Sequence, residues 1–336
     1  MIRCADWLNR FQKNVRRSIA KTEADLKKVG VIGGGCYGTA LAQCLSRVSD
    51  KVVVIEKNPQ IIDVVNKKHE NAVSLPNIPL SDNIFYTGDA SQLKDTEIIF
   101  IVVPAAFITS ACDLIKNSTS PIVLCSKGFD TNNGRLLSEL VKEQLSNEIF
   151  VLAGPSFAAE LAKNLPAEVN LAGKNFKKCA EIAKKLSSGN FKVEPITDLI
   201  GLQIAAALKN VLAIGCGILY GKNLGQNASA RFMIEGIQEM TQIALFLGGC
   251  AETFSKVGAL GDIILTCTSL QSRNMTFGKF LAEGGSLDSW NGPLAEGVFA
   301  SRFISNLKYH TKIFKKIYQV VYGQITVDEF LSSIYK

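Results

Sequence analysis

From Lys27 onward the chain alternates short apolar runs with longer stretches of helical periodicity. Val29–Ile32, Lys51–Ile55, Ile98–Val103, Ile122–Cys125 and Ile149–Leu152 read as strands, and Pro104 ends the third. Strands covered on both faces lose the apolar–polar alternation of a one-sided sheet. Runs of this kind, separated by helices such as Thr39–Val48, predict a parallel sheet between two helical layers, with right-handed crossovers. Past Thr197 the strands stop. Asp198 is placed to cap a helix running through Leu202, Ala206, Lys209 and Ala213, and helical periodicity returns over 230–247, 274–282, 295–307 and 327–335. The pattern divides the chain into an N-terminal extension (1–25), an α/β domain (26–200) and an all-helical domain (201–336), with no internal repeat.

Between the first strand and the first helix stands Gly33-Gly34-Gly35-Cys36-Tyr37-Gly38. The spacing of Gly33, Gly35 and Gly38 is G-x-G-x-x-G. Gly33 permits the tight turn, Gly35 lets backbone approach a diphosphate, and Gly38 lets helix and strand pack closely. A helix N-terminus offers unpaired N–H groups to an anion. Strand, glycine turn and helix in that order predict a Rossmann-type doubly wound sheet that holds a dinucleotide. Glu56 ends the second strand, where a carboxylate accepts hydrogen bonds from the adenosine ribose and repels a 2′-phosphate. Lys57 beside it is able to pair with such a phosphate, so these two residues point in opposite directions and the cofactor is NAD or NADP.

Composition narrows the class. The 336 residues are 47% hydrophobic and 20% charged, a globular balance. No apolar run reaches the ~20 uncharged residues of a membrane span. The nearest, Ile204–Tyr220, is interrupted by Lys209 and Asn210, so a soluble chain is expected. The formal charge of +7 is carried by scattered residues with no groove-reading motif, which favours anionic small molecules over nucleic acid. Nine cysteines without a CxxC pair, and only His69 and His310 besides, argue against a zinc site or a histidine-based triad and for reduced thiols in the cytoplasm. The first 25 residues are basic (Arg3, Arg10, Lys13, Arg16, Arg17, Lys21) with Trp7, Leu8 and Phe11 alongside. They resemble a transit peptide weakly and read as a surface helix or extension.

Several polar residues stand where chemistry is done. Lys127, in Ser126-Lys127-Gly128, follows a strand and so reaches the carboxyl edge of the sheet, as a surface lysine or as a ligand group. Gly154-Pro155-Ser156 is a turn by its local chemistry or a cradle for substrate with Ser156 as donor. Lys209 interrupts an otherwise apolar helix. Burial lowers a lysine's pKa toward neutrality, which suits proton transfer to a substrate oxygen, unless the stem carries the ammonium out to water. Asn210 adds a second polar group beside it. Ser272-Arg273-Asn274 opens a helix downstream of Gly261-Asp262, either as a plain cap or as a phosphate site.

Taken together these motifs resemble the bacterial-type NAD(P)-dependent glycerol-3-phosphate dehydrogenases over about residues 28–310. The match rests on VIGGGCYGTA (31–40), SKGF (126–129), GPSFAAE (154–160), ALKNV (207–211), GALGDIILTC (258–267), QSRN (271–274) and Glu296-Gly297. The resemblance implies hydride exchange between dihydroxyacetone phosphate and sn-glycerol 3-phosphate, with Lys209 as proton donor and acceptor and Lys127 and Asp262 assisting. It puts Lys127, Gly154, Ser156, Asp262, Ser272, Arg273 and Asn274 on substrate-contacting positions, and Cys36, Tyr37, Lys57, Lys127, Ala158, Arg273, Leu294 and Glu296 on cofactor-contacting ones. Asp262 and Asn210 are expected to orient the lysine. The chain departs from the family's pattern at Cys36 (usually serine), Glu56 (usually small), Glu235 (often arginine) and Pro293–Ala295. A cytoplasmic homodimer supplying phospholipid synthesis is the implied context. The rival readings are a ketopantoate-type or β-hydroxyacid reductase, which acts on carboxylates, and a non-catalytic nucleotide sensor.

Overall fold

The computed structural model describes residues 25–335 apart from Thr131 and Leu294, so the expectations placed on the basic extension (1–24) and on Leu294 lie outside the described residues. Eight strands form one sheet: β1 (Leu26–Ile32), β2 (Ser49–Ile55), β3 (Ile84–Thr87), β4 (Ile98–Ile101), β5 (Ile122–Leu124), β6 (Ile149–Ala153), β7 (Ala167–Gly173) and β8 (Phe191–Ile196). Their order across it is β3-β2-β1-β4-β5-β6-β7-β8. β1 pairs with both β2 and β4, so the winding reverses there, and the crevice at the carboxyl ends of these strands is where doubly wound folds bind ligands.

Helices α1 (Cys36–Leu45), α2 (Pro59–Lys68), α5 (Ala158–Ala162) and α6 (Phe176–Leu186) bury their apolar sides on one face of the sheet. On the other face lie α3 (Ile108–Asp113), α4 (Leu137–Gln144) and the first turns of α7 (Leu199–Gly221), through Leu199, Leu202 and Ala206. From Ile204 onward α7 runs into a second core. There α8 (Gly225–Phe246), α9 (Asp262–Thr268), α10 (Arg273–Ala282), α11 (Glu296–Asn306), α12 (Ile313–Val321) and α13 (Val327–Tyr335) pack around it. By length and composition alone α7 could cross a membrane, but 94% of its most apolar window is buried inside the protein. A helix apolar all round is a core helix.

The five strands read from the apolar runs are present, and the α/β-then-helical class stands. Two corrections follow. Three further strands, β3, β7 and β8, had no recognisable run: β3 is four residues long and ends in Tyr86 and Thr87, Lys192 and Glu194 interrupt β8, and Glu168 and Asn170 break β7. The sheet is also not wholly parallel, since β7 pairs antiparallel to β6 with Leu152 opposite Leu171.

Candidate active site

The glycine turn leaves β1 and enters α1 in a conformation that the sequence dictates. Gly33 has φ +110°, and a Cβ there would stand 2.7 Å from the Val102 carbonyl oxygen. A Cβ on Gly38 would stand 1.9 Å from the Gly33 oxygen, so α1 approaches the strand end closer than any side chain allows. Gly35, at the N-cap, faces open space, and no side chain caps the helix. Open room above unsatisfied N–H groups fits the diphosphate of a dinucleotide.

A cleft of about 610 Å³ opens from this turn toward the helical core. Its walls include Gly35, Cys36, Tyr37, Gly38, Lys127, Ser156, Ala158, Lys209, Asn210, Asp262, Ser272, Arg273, Asn274 and Glu296, residues drawn from both halves of the chain. Gly33 and Gly154 stand behind the wall: a Cβ on Gly154 would strike Val169 at 2.7 Å, so this glycine serves the β6–β7 contact. Glu56 and Lys57 lie away from the cleft, past the end of β2.

At the deep end Lys209, 4% exposed, sits midway along α7. Its ammonium donates to Asp262 Oδ1 at 2.5 Å and to Thr266 Oγ1 at 2.8 Å. Asp262 and Thr266 are one turn apart on α9 and so face the same lysine, and the Thr266 hydroxyl donates back to the Asp262 carbonyl at 2.6 Å. Asp262 is 2% exposed, and its Oδ2 has no hydrogen-bond partner among the described residues. Lys127 Nζ approaches that oxygen to 3.8 Å. Burial pulls the Lys209 pKa down to about 8, against the opposing pull of Asp262 and with help from Lys127. Lys127 is held the other way. Burial disfavours its charge too, but Asp262, Tyr37 and Glu296 together raise it above the ordinary lysine range. Two lysines with one carboxylate between them are thus split, one near neutrality and one firmly cationic.

Tyr37 lines the cofactor side. Its O–H donates to Ser156 Oγ at 3.1 Å, since that hydroxyl itself donates to the Gly154 carbonyl at 2.9 Å. Burial raises the phenol, and the Lys127 ammonium lies 5.7 Å above its ring. At the opposite wall Ser272 caps α10 by accepting from the Met275 N–H, and Arg273 is the first residue of that helix. Arg273 makes no salt bridge among the described residues and lies close enough to Cys36 to offset part of the rise that burial gives its thiol.

Asn210 does not orient Lys209. Successive helical residues point about 100° apart, and Asn210 Oδ1 instead accepts from Asn274 Nδ2 at 2.9 Å, while Asn274 Oδ1 accepts from the Gly297 N–H at 2.8 Å. These two amides tie α7, α10 and α11 together. Two contributors were not singled out in the sequence. Thr266, four residues after Asp262, could have been found from helical spacing. Asn170, fully buried on β7, accepts from the Gly258 N–H at 2.7 Å and so fixes the wide π turn that delivers Asp262; no local pattern marks it.

Comparison with known proteins gives the same picture for the whole chain. The family model described as "NAD-dependent glycerol-3-phosphate dehydrogenase N-terminus" matches residues 28–179, and its C-terminus counterpart matches 198–332. A glycerol-3-phosphate dehydrogenase [NAD(P)+] of Caulobacter vibrioides is 38% identical over 92% of this chain and 96% of its own length. That of Anaplasma phagocytophilum is 32% identical over 91% and 99%. The crystal structure of the Coxiella burnetii glycerol-3-phosphate dehydrogenase superposes with a TM-score of 0.87 at 29% identity, covering 93% of this chain and 99% of that one. With both halves matched in order and the cleft between them intact, the chain belongs to the NAD-dependent glycerol-3-phosphate dehydrogenase family.

Proposed function

We propose that this cleft interconverts dihydroxyacetone phosphate and sn-glycerol 3-phosphate, with Lys209 as the proton donor and acceptor. The observation that carries the assignment is a buried lysine near neutrality, facing the same cleft as the dinucleotide turn and an arginine at a helix N-terminus. When bound, the nicotinamide gives or takes a hydride at the substrate's central carbon. Reduction turns the ketone oxygen into an alkoxide, which the Lys209 ammonium protonates; in oxidation the neutral amine removes the proton. Lys127 stays cationic and stabilises the developing negative charge. Asp262 Oδ1 and Thr266 hold the lysine, and the second carboxylate oxygen is left free to accept from a substrate hydroxyl. Arg273, with Ser272 and Asn274 at the start of α10, holds the phosphate and so sets the distance to the carbonyl. Cys36, Tyr37, Gly38 and Ala158 bound the cofactor's end, and Glu296 balances Lys127.

The wider setting belongs to the same proposal: a cytoplasmic homodimer that makes glycerol 3-phosphate for phospholipid synthesis. Purified Lys209→Ala tests the mechanism. Turnover is expected to fall by roughly a hundredfold to ten-thousandfold, the usual contribution of a positioned acid–base group. A folded variant with near-normal rates overturns the assignment. A substrate panel separates the carboxylate-reductase rival: phosphorylated ketones must be reduced and 2-keto acids ignored.

A further inference from the structure

Resting on the reading that the glycine turn holds a nicotinamide dinucleotide, we propose that Glu56 makes this enzyme selective for NAD(H) over NADP(H). The parallel register pairs Ile32 with Ile55, so the residue after β2 stands beside the residues after β1. The contact is close. A Cβ on Gly34 would lie 2.7 Å from Glu56 Oε2, so the middle glycine of the turn has a job that the G-x-G-x-x-G spacing does not reveal. Gly34 cannot retreat, because its carbonyl accepts from Thr39 Oγ1 at 3.0 Å and from Asn71 Nδ2 at 2.9 Å.

The carboxylate is anchored on its other side as well. Glu56 Oε1 accepts from the backbone N–H groups of Lys57 at 2.8 Å and Asn58 at 2.9 Å. This end of the second strand is where doubly wound folds meet the adenosine ribose. A 2′-phosphate brought there needs donors and positive charge. The two backbone donors are already taken by Glu56, and the Asn58 side chain, whose oxygen caps α2 by accepting from the Gln60 N–H at 2.9 Å, brings no positive charge. Among the described residues, Lys57 is the opposing cation adjacent to Glu56 in sequence. Its ammonium lies 5.6 Å from the Phe107 ring centre on an exposed, flexible stem, where its attraction is weak and screened. Glu56 is half-buried and fixed by two N–H groups, so its repulsion is the larger effect, and like-charge juxtaposition of this kind rejects a wrong ligand strongly. Ribose hydroxyls, being donors, suit the same carboxylate.

The test is direct binding to the full-length protein, by calorimetric titration with NADH and NADPH and with adenosine 5′-monophosphate and adenosine 2′,5′-bisphosphate, a pair that differs only in the 2′-phosphate. NADH is expected to bind on the order of a hundredfold tighter than NADPH, and the monophosphate correspondingly tighter than the bisphosphate. Glu56→Gln, which keeps the shape and removes the charge, should shrink that ratio to about tenfold or less, mainly by tightening NADPH. Glu56→Ser, which also frees the two N–H groups, should shrink it further. Wild-type affinities within about threefold of each other, or an unchanged ratio in both variants, overturn the proposal. If that happens while dihydroxyacetone phosphate is still reduced, only the selectivity fails; binding of neither nucleotide by the folded protein removes the dehydrogenase reading too.

Discussion

In the proposed mechanism ketone reduction takes its proton from Lys209, so the pH profile depends on how long Lys209 keeps it. The pKa is lowered to about 8, and the protonated form is the donor. Hence kcat/KM for dihydroxyacetone phosphate is expected to fall as pH rises through about 8, while that for glycerol 3-phosphate oxidation rises through the same point. Steady-state rates in both directions across that range check it. Asp262 raises the lysine's proton affinity, so Asp262→Asn should move both midpoints to lower pH and reduce the rate of reduction at neutrality. An unmoved midpoint would show that the carboxylate does not govern this proton. Part of this was legible in the sequence: a charged residue inside an apolar helix announced Lys209. Of the two neighbours expected to orient it, Asp262 does, although it arrives from a segment 53 positions away and only the family resemblance pointed to it; adjacent Asn210 is turned aside by the helical screw.

Between the residues and the molecule lie the elements that aim them. Asp262 is delivered by the π turn Val257–Gly261, whose Gly258 N–H is held by Asn170 on β7. Asn170→Ala leaves that buried donor unsatisfied, at about 1–3 kcal/mol. A lower unfolding midpoint and a reduced kcat are expected with the affinity for NADH unchanged, and nucleotide titration beside steady-state kinetics separates these effects. In the other half, Gly38→Ala would force α1 off the Gly33 carbonyl. Loss of stabilisation by added NADH in a thermal melt is the expected result, and a normal NADH-induced shift would sink the close-packing argument. The strands that were legible, β1, β2, β4, β5 and β6, are those with apolar runs dictated by burial on both faces. Edge position made β3 and β8 partly polar, and a buried amide made β7 look unlike a core strand. Their polar residues answer to long-range contacts, which no local window contains.

At the scale of the whole molecule, the two cores share α7: Leu199, Leu202 and Ala206 are packed with the sheet, and Ile204 to Leu219 with the helices. Heating is therefore expected to give one cooperative transition for both halves; two resolved calorimetric peaks would contradict the shared element. The sharing also ties the helix that carries Lys209 to the sheet that carries the glycine turn. Loops around the cleft are free to grow or shrink in descendants of this gene, but the stretch from Asp198 to Lys209 has no such freedom. A single residue gained or lost there is a phase error of about 100°, which would swing the ammonium away from Asp262 and Thr266 and set the apolar stripes of α7 against the wrong partners. Insertions and deletions in this segment should be absent among active relatives, even where the surrounding sequence has drifted.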